Sequence, residues 1–247
     1  MFGLIVSLAI GTTVYLALSF VIDGTVPREC HELSWRIRFA VLALLATILN
    51  GALSHYAANA LAVVGNHPLF RPVDLGQFTL GVVALLLLHD FLNYWVHRAL
   101  HRFLWRFHAV HHSPRHLTSA AGTFAHPVEE LFRAISLGAL AGLIGFSGSV
   151  PFVLAVAIRL QEFYIHSPTA LHFGPVGAVV IDNRTHRVHH SREQADYDKN
   201  FGVMFTVWDR LFGTYSRPRA WAEVGLRNVD QPRTLWQALT LPWRLGA

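Results

Sequence analysis

The pattern His-x-x-His-His occurs twice in this chain, as His108, His111 and His112 and again as His186, His189 and His190. A serine follows each copy, Ser113 and Ser191. Residues three and four apart share a helix face, so each triplet is expected to aim its imidazoles at a common point. Just upstream, His97 and His101 repeat the i, i+4 spacing. Neutral imidazole is a ligand for iron, zinc and copper. A lone histidine is ordinarily a core or surface residue. Two identical triplets with a further pair have the spacing of metal ligands. One triplet is enough for one metal, and this many groups point to two. Any fold for this chain must therefore bring remote segments to one place.

The rest of the chain is unusually apolar. Hydrophobic residues make up 53% and charged residues 14%, with a mean hydropathy of +0.37. That balance belongs to a membrane protein. Phe2 to Ile22 reads as a first span; no charged region precedes it, which argues against a signal peptide. Residues 39–64 form a second span and 78–96 a third. Leu131 to Phe146 and Val150 to Ile165 are two shorter apolar stretches, a helical hairpin that either crosses obliquely or dips in. Arg28, Arg36 and Arg38 lie between spans one and two, and Arg98, Arg102, Arg106 and Arg115 follow span three. The loops 65–77 and 146–150 are poor in basic residues. The positive-inside rule then places the N-terminus outside and the histidine-rich segments and C-terminus in the cytoplasm. The expected fold is all-α: a multi-pass integral membrane bundle of about four to five membrane-embedded helices under a cytoplasmic, histidine-rich helical cap. It reads as one membrane domain over residues 1–247. The segment Thr234 to Trp243, with Trp236, is either an interfacial anchor or an ordinary packed helix.

The net charge of +5 fits topology and lipid headgroups better than nucleic acid, since no long basic run or nucleic-acid motif is present. Cys30 is alone, so no disulfide framework exists. His31-Glu32 lacks the second histidine of a zinc-protease motif, because Trp35 stands in its place. Neither a nucleophile elbow nor a phosphate-binding glycine loop occurs. Asp90, two helical turns before His97, either orients a ligand imidazole or makes an interfacial ion pair. His31, His55, His67, His116 and His172 have no partner at ligand spacing and are expected in surface, span or loop roles. His126 reads as a pocket residue, with a ligand role for it or for His172 left open.

The chain resembles the fatty acid hydroxylase / sterol desaturase superfamily of integral membrane di-iron enzymes. The resemblance runs through residues 78–216. It is carried by Asp90-Phe-Leu-Asn-Tyr94-Trp-Val-His97-Arg98-Ala-Leu-His101, then by Phe107-His108-Ala-Val-His111-His112-Ser113. His126-Pro127-Val-Glu129 and His166-Ser167 follow, then His186-Arg187-Val-His189-His190-Ser191, Asn200-Phe201-Gly202 and Trp208-Asp209. It implies two iron ions held by His97, His101, His108, His111, His112, His166, His186, His189 and His190. Asp90, Tyr94, His126, Glu129, Asn200 and Asp209 are then supporting or pocket residues. It further implies O2-dependent hydroxylation of a lipid drawn from the bilayer, with electrons from an external donor of ferredoxin or cytochrome type. No fused heme domain is recognisable at either end. Desaturation shares the hydrogen-abstraction step, so the histidines do not choose between the two. Phe201 departs from the family, which usually has Tyr there; a role of that hydroxyl toward ligand or substrate would be lost. A bis-histidine heme protein and a histidine-lined metal transporter are the readings from other classes. Both predict ligands inside the spans, whereas these histidines crowd in the polar segments after them.

Overall fold

Thr47 and Asn50 are polar side chains on the inner face of a long apolar helix, and both are bonded. The helix, α2, spans Leu33–Val64. Thr47 Oγ1 donates to the Ala43 carbonyl and Asn50 Nδ2 donates to the Ala125 carbonyl at 3.1 Å. Phe39, Ala40, Leu42, Ala43 and Ala46 are buried beside them, at the i, i+3, i+4, i+7 spacing of one helix face. The opposite face carries Ile37, Val41, Leu45 and Ile48, all exposed. A helix apolar on its outer face as well as its inner one is either a core helix or a membrane span.

The computed structural model describes residues 14–29, 31–64, 78–144, 150–218 and 221–245, with side chains omitted for 54–82 and 137–155. Among the described residues the fold is helical, with isolated β-bridges and no strand. A short apolar helix α1, Val14–Gly24, precedes α2. Then come α3 (Phe78–Phe103), α4 (Trp105–His112), α5 (Pro127–Ile144), α6 (Val150–His166), α7 (Asn183–His189), α8 (Val207–Leu211) and α9 (Leu235–Arg244). Among the described residues one stretch, Leu33–Leu53, is long and apolar enough by itself to cross a membrane. The start of the expected first span, the loop 65–77, the turn at 146–149, and the side chains of His55 and His67 lie outside the described residues.

The frame that carries the histidines is built from α2 to α6. α2 packs against α5 and a 3-10 turn, Ser119–Thr123, which in turn lies on α6. Asp23, in the last turn of α1, is buried and accepts the backbone N–H and the hydroxyl of Ser119, both at 2.7 Å. α3 runs past its apolar part into His97 and His101 and breaks at Leu104, whose backbone is not helical (φ −125°). No proline or glycine marks this break. It lets α4 fold back so that His108 meets His97. α7 is short but well started: Asp182 caps it by accepting from the Thr185 backbone and hydroxyl, both at 2.9 Å. Such a cap is worth about 1 kcal/mol. α9 is capped by Thr234 and buries Ala238, Leu241 and Pro242, while Trp236 and Trp243 face outward. It is thus packed on one side and aromatic on the other.

Candidate metal centre

The nine expected histidines gather into two adjoining groups, and the triplets divide between them. His97, His101, His108, His112 and His189 form one group; His111, His166, His186 and His190 form the other. Within each group the ligand atoms all lie within 4.8 Å of one another. The expectation that each triplet aims at one point needs correction. At 3.6 residues per turn, i and i+4 point about 40° apart, but i+3 and i+4 point about 100° apart. The i, i+4 pairs His108/His112 and His186/His190 therefore stay together. The i+3 members, His111 and His189, cross into the group of the other triplet. The groups abut where His112 and His190 stack, ring centroids 4.3 Å apart.

Outer contacts fix the rings. His97 Nδ1 donates to the Phe201 carbonyl at 2.9 Å, and His189 Nδ1 to the Lys199 carbonyl at 2.8 Å. His101 Nδ1 meets Asp198 Oδ1 at 3.1 Å. In the second group, His111 Nδ1 donates to the Phe124 carbonyl at 3.2 Å and His166 Nδ1 to the Glu162 carbonyl at 2.7 Å. His108 Nδ1 lies 2.9 Å from the buried carboxylate of Glu129. Glu129 also accepts from Arg133, which reaches on to Asn93. A neutral imidazole has one N–H. Where Nδ1 spends it outward, Nε2 turns inward with a bare lone pair.

Those inward nitrogens are very close together. His97 Nε2 and His112 Nε2 each lie 3.1 Å from His108 Nε2. In the second group the Nε2 atoms of His111, His166, His186 and His190 follow one another at 3.3, 3.0 and 3.2 Å. Nε2 of His101 and of His189 is buried without any hydrogen-bond partner. His111 and His166 have Nδ1 committed on both rings, so their Nε2 lone pairs face each other. Protonation does not relieve this. Burial holds all nine imidazoles below the usual histidine value, His166 down to about 4. A metal does relieve it: ligands about 2.1 Å from a metal stand about 3.0 to 3.4 Å from each other. The donor set fits two first-row transition ions.

The other flagged residues act one layer further out. Asp90 touches no imidazole: its carboxylate accepts the backbone N–H of Val203, Met204 and Phe205 at 3.2, 2.9 and 2.9 Å. It is neither a ligand-orienting carboxylate nor half of an ion pair, because the 203–205 backbone saturates it. Asp209 accepts from the N–H of Phe201 and Gly202 and from Thr214 Oγ1. Arg98, Tyr94 and Thr214 pass hydrogen bonds in series to that carboxylate. Asn200 binds the carbonyl of Thr185 and, in both directions, the backbone of Ser216. Together these hold the strip 198–201, whose carbonyls and Asp198 carboxylate steady three ligands of the first group. Asp198 and Asn200 have left-handed backbones, φ 57° and 53°, which Asp and Asn tolerate better than most residues. The strip escaped sequence reading because backbone carbonyls carry no sequence signature. Phe201 packs its ring on His97, His101 and His189, closing that group's edge.

His126 is not a ligand. Its Nδ1 accepts the Val128 N–H at the start of α5 and its Nε2 donates to the Leu239 carbonyl of α9. His172 accepts from the Gly174 N–H and joins neither group. Gly122 is required by close approach: a Cβ there would stand 3.0 Å from the Glu162 carbonyl and 3.1 Å from His166 Nδ1.

The family model for fatty acid hydroxylase matches residues 82–214, and the chain belongs to that family. It is 34% identical to alkylglycerol monooxygenase from Danio rerio over 132 residues, 51% of this chain and 28% of that protein. It is 30% identical to ornithine lipid hydroxylase from Rhizobium tropici over 191 residues, 76% of this chain and 56% of that one. With Delta(7)-sterol 5(6)-desaturase from Gibberella zeae it shares 27% over 230 residues, 89% and 62% of the two chains. In each case the chain spans less than two thirds of the relative's length. No solved structure matches it.

Proposed function

We propose that this protein is a multi-pass membrane oxidoreductase that hydroxylates an apolar lipid, using O2 and electrons from an external ferredoxin or cytochrome. Its two histidine groups would hold two irons, His97, His101, His108, His112 and His189 one, and His111, His166, His186 and His190 the other. The observation that carries this reading is the convergence of inward Nε2 atoms at metal-ligand separations in two buried groups. A heme needs two imidazoles on opposite faces of a flat ring; crowding of this kind gives it no room. The membrane placement rests on outward apolar stripes that continue from α2 onto Val83 and Leu87 of α3, Leu131 and Ile135 of α5, and Val156 and Leu160 of α6. The segment 78–216 is the catalytic region of a single membrane domain, with the histidines on the cytoplasmic side.

The irons supply activation of O2 for attack on a C–H bond, a chemistry no side chain here provides alone. The chain's own part is positional. The carbonyls of Phe201, Lys199, Phe124 and Glu162 choose the histidine tautomer and fix each ring plane. Glu129 beside His108 makes that imidazole a stronger donor. Burial keeps the ligands neutral and water away. Only His101 reaches the surface in part, beside Arg98 and Arg102, a plausible side for an acidic electron donor. In balance, the lipid C–H, O2, two electrons and two protons give the alcohol and water.

Desaturation is the second reading, favoured by the sterol desaturase relative that covers most of this chain. Comparing lipids of cells with the wild-type chain, the His190→Ala variant and neither tests both. A lipid gaining one oxygen only with the wild type supports hydroxylation; one losing two hydrogens supports desaturation. An unchanged profile, or the same product from His190→Ala, would overturn the assignment.

A further inference from the structure

Three more ligand-type side chains converge away from the paired groups. Glu29, His31 and His116 bring one ligand atom each to within 4.8 Å of one another. Sequence spacing gave His31 and His116 no partners, because the fold alone joins the segment before α2 to the turn after α4. Their rings lie 4.3 Å apart, with Trp35 edge-on to both.

The carboxylate is oriented. Glu29 Oε1 accepts from Arg187 at 2.6 Å and from the Trp221 indole N–H. Oε2 is left buried without a hydrogen-bond partner, 3.4 Å from His31 Nε2, itself buried and without one. Two imidazoles and a carboxylate steadied through its second oxygen are a donor set that zinc-class ions accept. His116 is exposed, so the fourth position opens to water.

We infer that Glu29, His31 and His116 form a third cation site, for an exchangeable divalent ion of the zinc class. It would act as a clamp. The segment around Glu29 is already laid along the end of α6, with Arg28 N–H donating to the Pro168 carbonyl and Ala170 N–H to the Val26 carbonyl, both at 2.8 Å. An ion would pin the same segment to the turn holding His116. Arg187 carries the link into α7, between His186 and His189. Arg187 also offsets part of the carboxylate charge, which makes binding reversible. The inference does not depend on the iron assignment.

The test uses the full-length, iron-loaded protein in phospholipid nanodiscs, dialysed against micromolar Zn2+, with zinc and iron counted per chain. Wild type should hold one zinc more than His116→Ala or His31→Ala, with iron equal in all three. His190→Ala, damaged in the main centre, should keep this zinc. Equal zinc in wild type and both variants, or none in wild type, would overturn the site. If a variant also sheds iron, the wild-type melting midpoint decides. Zn2+ should raise it by several degrees through mass action, and no rise counts against the site.

Discussion

The two histidine groups use the same ligand chemistry but are braced differently. The five-histidine group leans on carboxylates, Glu129 at His108 and Asp198 at His101, and on the strip 198–201. It also has a partly exposed member. The four-histidine group is wholly buried and is braced by backbone carbonyls, with the Ser119–Thr123 turn pressed against it. A carboxylate makes an imidazole a stronger donor than a neutral carbonyl does. An ion in the five-histidine group would thus meet the more electron-rich site near the surface, and one in the four-histidine group a drier site with fewer protein ligands. Equal ligands need not make equal metals.

The strongest challenge to this contrast comes from the neighbours His189 and His190. Each changed to Ala should lower turnover by more than about 100-fold, beyond the range for outer contacts. Metal analysis should show iron loss centred on a different group in each; identical spectroscopic losses would dissolve the distinction. Glu129→Gln should cost about 10- to 100-fold in iron retention, confined to the five-histidine group. Gly122→Ala does the reverse. It crowds the Glu162 carbonyl and the His166 ring bonded to it, and overpacking of this kind costs about 1 to 3 kcal/mol, read by thermal melts and by loss from the four-histidine group. Asp198→Asn, at the exposed edge, should change turnover only a few-fold.

A pH series on chelator-treated protein sharpens the comparison further. The buried imidazoles have folded values below the ordinary 6.5, His166 about 4, because burial disfavours charge. As pH falls below 6.5, the unfolded chain takes up protons that the folded chain refuses. Stability therefore drops from pH 6.5 toward 4 and is level above it. His166→Gln should flatten part of that slope; an unchanged slope would mean His166 does not resist protonation.

The sequence announced the nine histidines that cluster because their chemistry lies in side chains, and His97 through His190 repeat at helical spacings. The two apolar helices α5 and α6 were equally plain. What stayed hidden was whatever works through the backbone or through distance. The carbonyls of Phe201, Lys199 and Phe124 look like those of any residue. The break at Leu104 has no glycine or proline to mark it. Asp90 stood out in the sequence, yet its partners, the N–H groups of residues 203–205, lie far along the chain. The splitting of each triplet follows from helix angles and was available in principle. Which neighbour each imidazole would join required the fold.

That splitting has a mechanical consequence. His111 and His112 are joined by one peptide bond yet fall in different groups, and so do His189 and His190. The gap between the two groups is thereby ruled twice by covalent bonds, once in α4 and once at the end of α7. Neither group can shift without dragging both helices. Any pair of ions held there would take its spacing from the backbone itself.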